Sequence, residues 1–107
     1  MLDPQLKRGM LDACVLAVLC RGESYGYKII KDLSEKLTVS ESTLYPILRR
    51  LENAEMLSEH SVEHKGRLRK IYSITKRGEA HLDDFLASRE EVISLYDFAG
   101  RLRNDED

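Results

Sequence analysis

No hydrophobic run in the 107-residue chain approaches the ~20 residues of a membrane-spanning helix, so no segment is expected to cross a bilayer. The opening Met-Leu-Asp-Pro-Gln-Leu-Lys-Arg lacks the basic-then-apolar order of a secretory signal, which makes the cytoplasm the expected location. Cysteine is scarce, with only Cys14 and Cys20, six apart in a helical pattern. Six residues of helix separate them by ~9 Å and turn them in different directions, beyond the ~7 Å that a disulfide tolerates. The two therefore read as free thiols of a reducing compartment. No cysteine spacing suits a metal. His60 and His64 share a strand face without a third ligand and read as surface histidines. Catalytic patterns are missing too: no nucleophile beside a base, no phosphate-cradling glycine loop, no carboxylate pair in an apolar setting. No enzyme activity, cofactor or metal is expected.

What is present is a chain 42% apolar and 34% charged, enough for one small core with surface left for a partner. The net charge of −2 argues weakly against nucleic acid, but its distribution argues the other way. Residues 1–82 hold 14 Lys/Arg against 11 Asp/Glu, a net of +3, while residues 83–107 hold 3 against 8, a net of −5. Between 65 and 77 stand Lys65, Arg67, Arg69, Lys70, Lys76 and Arg77 with no acid among them. Phosphates respond to the field within a Debye length of ~8 Å, so a local cationic strip counts for more than the total.

Asp3-Pro4 predicts the start of a first helix, aspartate being a good N-cap and proline suiting the next position. From Met10 to Cys20 only Asp12 is polar, which predicts a helix buried on several sides with help from a partner subunit. Arg21-Gly22 ends it. Ser24 is the expected cap of a second helix, from Tyr25 to about Leu37, with Tyr25, Ile29, Ile30, Leu33 and Leu37 on its apolar side. Either Ser40, or Thr38 in a capping box with Glu41, begins the third. In that helix Leu44, Ile47, Leu48 and Leu51 recur at i, i+3, i+4 and i+7. Ser42, Thr43, Tyr45, Arg49 and Arg50 fall outside the stripe and offer hydroxyls and guanidinium groups suited to base edges and phosphates. An ordinary amphipathic surface helix has the same periodicity, so the helix by itself does not decide. Pro46 predicts a distorted first turn without a break.

Leu57–His64 and Arg67–Ile74 read as two strands around Lys65-Gly66, a pair suited to a tight hairpin. The base is apolar (Ile71, Tyr72, Ile74) and the tip cationic, which describes a wing. Thr75 then caps a last helix reaching about Arg103, ~40 Å long. Its stripe of Leu82, Phe85, Leu86, Arg89, Val92, Ile93 and Tyr96 needs another surface, and a second copy of the chain is the simplest one. The expected fold is mainly α with a small β-hairpin: a winged helix-turn-helix over 1–75, then a dimerisation helix and acidic tail over 76–107.

Tyr25-Gly26-Tyr27-Lys28-Ile29-Ile30, the run Thr43-Leu44-Tyr45-Pro46-Ile47-Leu48-Arg49-Arg50-Leu51-Glu52, and Arg69-Lys70-Ile71-Tyr72-Ser73-Ile74-Thr75-Lys76-Arg77-Gly78 resemble the PadR family of bacterial transcriptional regulators, in its short form with a single C-terminal helix. The resemblance covers about residues 10–82. It implies a homodimeric repressor that binds double-stranded DNA at inverted repeats and lets go when a small-molecule effector binds. By position it implies groove and phosphate contacts at Ser42, Thr43, Tyr45 and Arg49, and wing contacts at Lys65, Arg67, Arg69 and Lys70.

This chain departs from the family in places. Ala54-Glu55 stands near where members often carry glycine; a positive φ at Glu55 would cost ~1 kcal/mol. Some short-form members stack flat drugs between tryptophans, but this chain has no tryptophan and has Arg89 in the matching stretch. Drug stacking is therefore not expected.

Several roles stay open on sequence. Tyr45 can meet a phosphate or cover the core rim. Arg49 and Arg50 can meet phosphates or pair with Glu52 or Glu55. Arg89 can snorkel, pair with Glu90 or Glu91 of a partner copy, or line a ligand cavity. The alternative function is a winged-helix docking module that does not bind DNA, favoured by the net −2 and the acidic last helix.

Overall fold

In the computed structural model, which describes residues 2–105, Asp3 accepts hydrogen bonds from the backbone N–H groups of Gln5 (3.0 Å) and Leu6 (3.4 Å). With Pro4 in the first helical position, the orphan amides of helix α1 (Pro4–Cys20) are answered locally. Leu11, Ala13, Val15, Leu16 and Leu19 bury one broad side of α1 in the core. The expectation of burial on several sides does not hold within one chain: Met10 is 40% exposed, and Ala17 and Cys20 are exposed as well.

Helix α2 (Gly26–Leu33) is shorter than its periodicity implies. Ser24 is not its cap. The Ser24 backbone is drawn into a bridge with Tyr72, donating to its carbonyl at 3.0 Å and accepting from its N–H at 2.8 Å. Tyr25 becomes the cap residue without a side-chain bond, and a turn after Leu33 ends the helix before Leu37. Eight residues are too few for a helix to persist alone, so the buried Ile29 and Leu33 hold α2 in place through packing.

Helix α3 (Glu41–Asn53) starts from Ser40, whose hydroxyl accepts from the Thr43 N–H at 3.3 Å; the Thr38 box does not form. Pro46 lies inside the helix without breaking it, and its missing N–H falls near the N-terminus on an exposed side. The turn after α3 is a Schellman motif: Met56 N–H donates to Leu51 O and Glu55 N–H to Glu52 O, both at 2.9 Å. That motif needs a left-handed residue, and Glu55 supplies it with φ 62°. Thr75 ties the turn down, donating its hydroxyl to Glu55 O at 2.7 Å while accepting from Gly78 N–H at 3.0 Å as the cap of α4 (Lys76–Ala87).

Strands β1 (Leu57–His64) and β2 (Arg67–Ile74) pair antiparallel with His64 opposite Arg67, leaving a two-residue turn. Both turn residues, Lys65 (φ 51°) and Gly66 (φ 77°), take positive φ, the conformation that suits a twisted hairpin. Ile71 and Tyr72 are buried on opposite faces at the base, while residues 60–68 are exposed.

The C-terminal rod is interrupted once. Ser88 separates α4 from α5 (Arg89–Asn104), and its hydroxyl donates back to Phe85 O at 2.7 Å. Such back-bonding bends helices. Leu82 belongs to the core of its own chain at 6% exposure, Phe85 is half-buried, and α5 buries no residue. The molecule is accordingly elongated, 69 × 27 × 21 Å, with a radius of gyration of 17.0 Å, against about 13 Å for a compact chain of this length. Among the described residues no helix is long and apolar enough to cross a membrane.

Replacing Glu55 by glycine should raise unfolding stability by roughly 1 kcal/mol, since the backbone strain goes. Little is lost with the side chain: its 3.7 Å pair with Arg77 has both partners mostly exposed. Urea denaturation measures this; an unchanged or lower stability would show that the left-handed turn carries no strain.

Candidate nucleic-acid interface

Burial of Leu44, Ile47, Leu48 and Leu51 leaves Ser42, Thr43, Tyr45, Pro46 and Arg49 exposed on the other side of α3. Ser42, Pro46, Arg49 and Asn53 follow i, i+4, i+7 and i+11, so they form the centre of the outward face, and Thr43 stands at its flank. The cap organises the first turn: the Ser40 hydroxyl lies 3.0 Å from that of Ser42 and donates to that of Thr43 at 3.1 Å. Hydroxyls held in a cluster lose less freedom when they meet a ligand.

The adjacent arginines part company. Arg49 is exposed, whereas Arg50 turns into the seam with α1 and pairs with Asp12. Neither Glu52 nor Glu55 is its partner; Glu55 pairs with Arg77 instead.

Lys65 and Arg67 are exposed at the wing tip. Arg69, half-buried, lays its guanidinium over the Tyr25 ring at 3.9 Å, which anchors the wing to the start of α2. Lys70 is mostly exposed, with Glu59 4.0 Å away. Between wing and helices runs a groove of about 590 Å³. Tyr25, Tyr27 and Tyr45 line it from the helices and the segment before them, and Lys65, Arg67, Arg69, Lys70 and Tyr72 from the wing. The groove thus joins the cationic wing to the exposed face of α3.

Gly26 makes room for Tyr45, since a Cβ there would stand 2.5 Å from the tyrosine oxygen. Tyr27, 71% exposed, shares a hydrogen bond with Glu41, and that bond with the nearby carboxylate charge pushes its phenol above the ordinary range. Tyr72 is raised as well, mainly by burial and next by the charge of Glu59. Both phenols therefore remain neutral donors at physiological pH.

On sequence Tyr25 reads as part of the apolar side of α2, and Tyr27 has no role. Gly26 was the available signal, since a glycine early in a helix can mark a close approach, here that of Tyr45. On the rod, Leu86, Arg89, Val92, Ile93 and Tyr96 are exposed, and so are Leu95, Phe98 and Leu102, which the stripe expected from sequence omitted. Glu90, Ser94, Asp97 and Arg101 share the polar side. An apolar groove of about 510 Å³ lies between α1 (Met10, Cys14, Ala17) and the α4–α5 junction (Phe85, Val92, Tyr96).

The family model of the PadR-like transcriptional regulators matches residues 15–84, well over half of the chain. The chain belongs to that family. Among solved structures it is similar to a PadR-like transcription factor from Bacteroides fragilis, at 38% identity and a TM-score of 0.79, over 89% of this chain and 94% of that one. A PadR family regulator from Eggerthella lenta is 32% identical with a TM-score of 0.77, over 95% and 88% of the two chains. Bacillus subtilis PadR, whose structure is a complex with operator DNA, is 26% identical with a TM-score of 0.66, over 72% of this chain and 47% of that one.

Removing the Tyr25 ring should release Arg69. In the Tyr25→Leu variant, ¹⁵N relaxation of the Arg69 side-chain N–H should report fast motion, where the parent reports an ordered group. Equal order in both would mean that the ring does not hold the wing.

Proposed function

We propose that the protein is a sequence-specific DNA-binding repressor that works as a homodimer, with residues 1–75 as the reading domain and residues 76–107 as the dimerisation segment. The observation that carries this reading is the exposed side of α3 with Ser42 and Arg49, which Tyr45 joins to the tyrosine-lined groove and its wing cations. In that reading Ser42, Thr43, Tyr45 and Arg49 meet base edges and phosphates of a major groove, and Lys65, Arg67, Arg69 and Lys70 meet the flanking backbone. That the Bacillus subtilis relative is found in complex with operator DNA supports DNA as the ligand.

Dimerisation is supported by the rod. Val92, Ile93, Leu95, Tyr96, Phe98 and Leu102 cover more than half of the circumference of α5, and none of them is buried by its own chain. A small apolar effector is assigned to the 510 Å³ groove beside α1, whose volume lies within the range of small-molecule sites and whose lining includes Val92, Ile93 and Tyr96 of the dimerisation stripe. The docking-module alternative draws on the net charge of −2. A gel shift on the chain's own upstream region separates the two: a salt-sensitive shift belongs to DNA binding, and none at micromolar protein belongs to docking.

Arg67→Ala with Arg69→Ala should weaken binding to every duplex alike and lower the salt slope by about two. An unchanged slope in fluorescence anisotropy would remove the wing from the interface. Val92→Glu with Tyr96→Glu should convert a dimer to a monomer in light scattering. A variant that stays dimeric would place the interface elsewhere.

A further inference from the structure

We propose that Arg50 is a positioning residue, which sets the rotation of α3 through Asp12 of α1 and makes no contact with DNA itself; the inference rests on the DNA-binding reading above. From Met10 to Cys20, Asp12 is the only polar residue, and the structure uses it for one purpose. Its carboxylate accepts from the Arg50 guanidinium, 38 positions along the chain, in a seam where the two side chains are 20% and 33% exposed. Arg50 follows Ile47 by three residues and precedes Leu51 by one, and both neighbours are buried. Arg49, ~100° further round the helix, points outward.

The buried contacts of α3 with the core are aliphatic and therefore non-directional, and its further polar tie, Tyr27 to Glu41, lies at the exposed first turn. A rotation of ~20° about the helix axis carries a side-chain tip ~6 Å from that axis through ~2 Å. Such a displacement is more than a hydrogen bond to a base edge survives. A guanidinium–carboxylate pair has a preferred plane and direction, so it resists the rotation that leucine packing allows. Stability alone gives a weak reason for the pair, because partly exposed ion pairs contribute little.

The test compares the parent with Asp12→Asn, Arg50→Gln, the double variant and Arg50→Lys. Each is titrated over a range of salt with a duplex selected from a random pool by the parent protein, and with an unrelated duplex. Thermal melts are run alongside. Each single variant, Arg50→Lys included, should lose about tenfold in affinity for the selected duplex. Affinity for the unrelated duplex and the salt slope should stay unchanged, and the double variant should be no worse than either single one. If Arg50→Gln weakens both duplexes and lowers the slope by about one, while Asp12→Asn weakens neither, Arg50 is a phosphate contact and the inference fails. Full affinity in Arg50→Lys, or losses that follow only the unfolded fraction, would likewise overturn it. A parent that selects no duplex fails the DNA-binding reading and this inference together; a parent that selects one while Asp12→Asn binds it normally fails this inference alone.

Discussion

Leu44, Ile47, Leu48 and Leu51 are all at most 5% exposed, and their burial decides what α3 shows to its surroundings. A helix carries its side chains at fixed angles, so sinking that stripe into the core leaves Ser42, Tyr45 and Arg49 no choice but to face outward. Each buried aliphatic side chain contributes roughly 1.5–3 kcal/mol of transfer free energy, far more than a hydroxyl or arginine contributes at the surface. The core thus decides which side of α3 is displayed, to within the rotation that aliphatic packing leaves, and the displayed residues are free to serve recognition.

The wing is held by a different kind of contact. Its base is fastened twice, by apolar burial of Ile71 and Tyr72 and by the backbone bridge between Tyr72 and Ser24. Because Ser24 leads directly into α2, the bridge fixes the distance between the wing and the helices beside it. The Arg69–Tyr25 stack then directs one cation of the wing without neutralising it. Beyond that point the hairpin is open, and Lys65 and Arg67 stand exposed beside the unburied Leu68.

How much of this could be read in the sequence follows from the range of the forces involved. The third helix, the hairpin and its turn were legible because aliphatic period, cap and turn residues act within a few positions of one another. The left-handed Glu55 was legible only as a departure from a family habit, and the structure places it at φ 62°. Ser24 misled because its side chain suits a cap, while its backbone is claimed by Tyr72, 48 positions away. Arg50 misled similarly: nearby Glu52 and Glu55 looked available, and the partner proved to be Asp12 on α1. The break at Ser88 has a weak local signature, a lone serine in an otherwise periodic stretch. Leu95, Phe98 and Leu102 were passed over because α5 is apolar over more than one stripe.

Two such surfaces, carried by a two-fold pair, would reach neighbouring major grooves on one side of a duplex. Hydroxyl-radical footprinting of the protein on the promoter beside its own gene tests that most directly. The account predicts two protected patches centred about 10–10.5 base pairs apart, or a small multiple of that, related by inverted sequence. A single isolated patch, or uniform weak protection along the fragment, would contradict it.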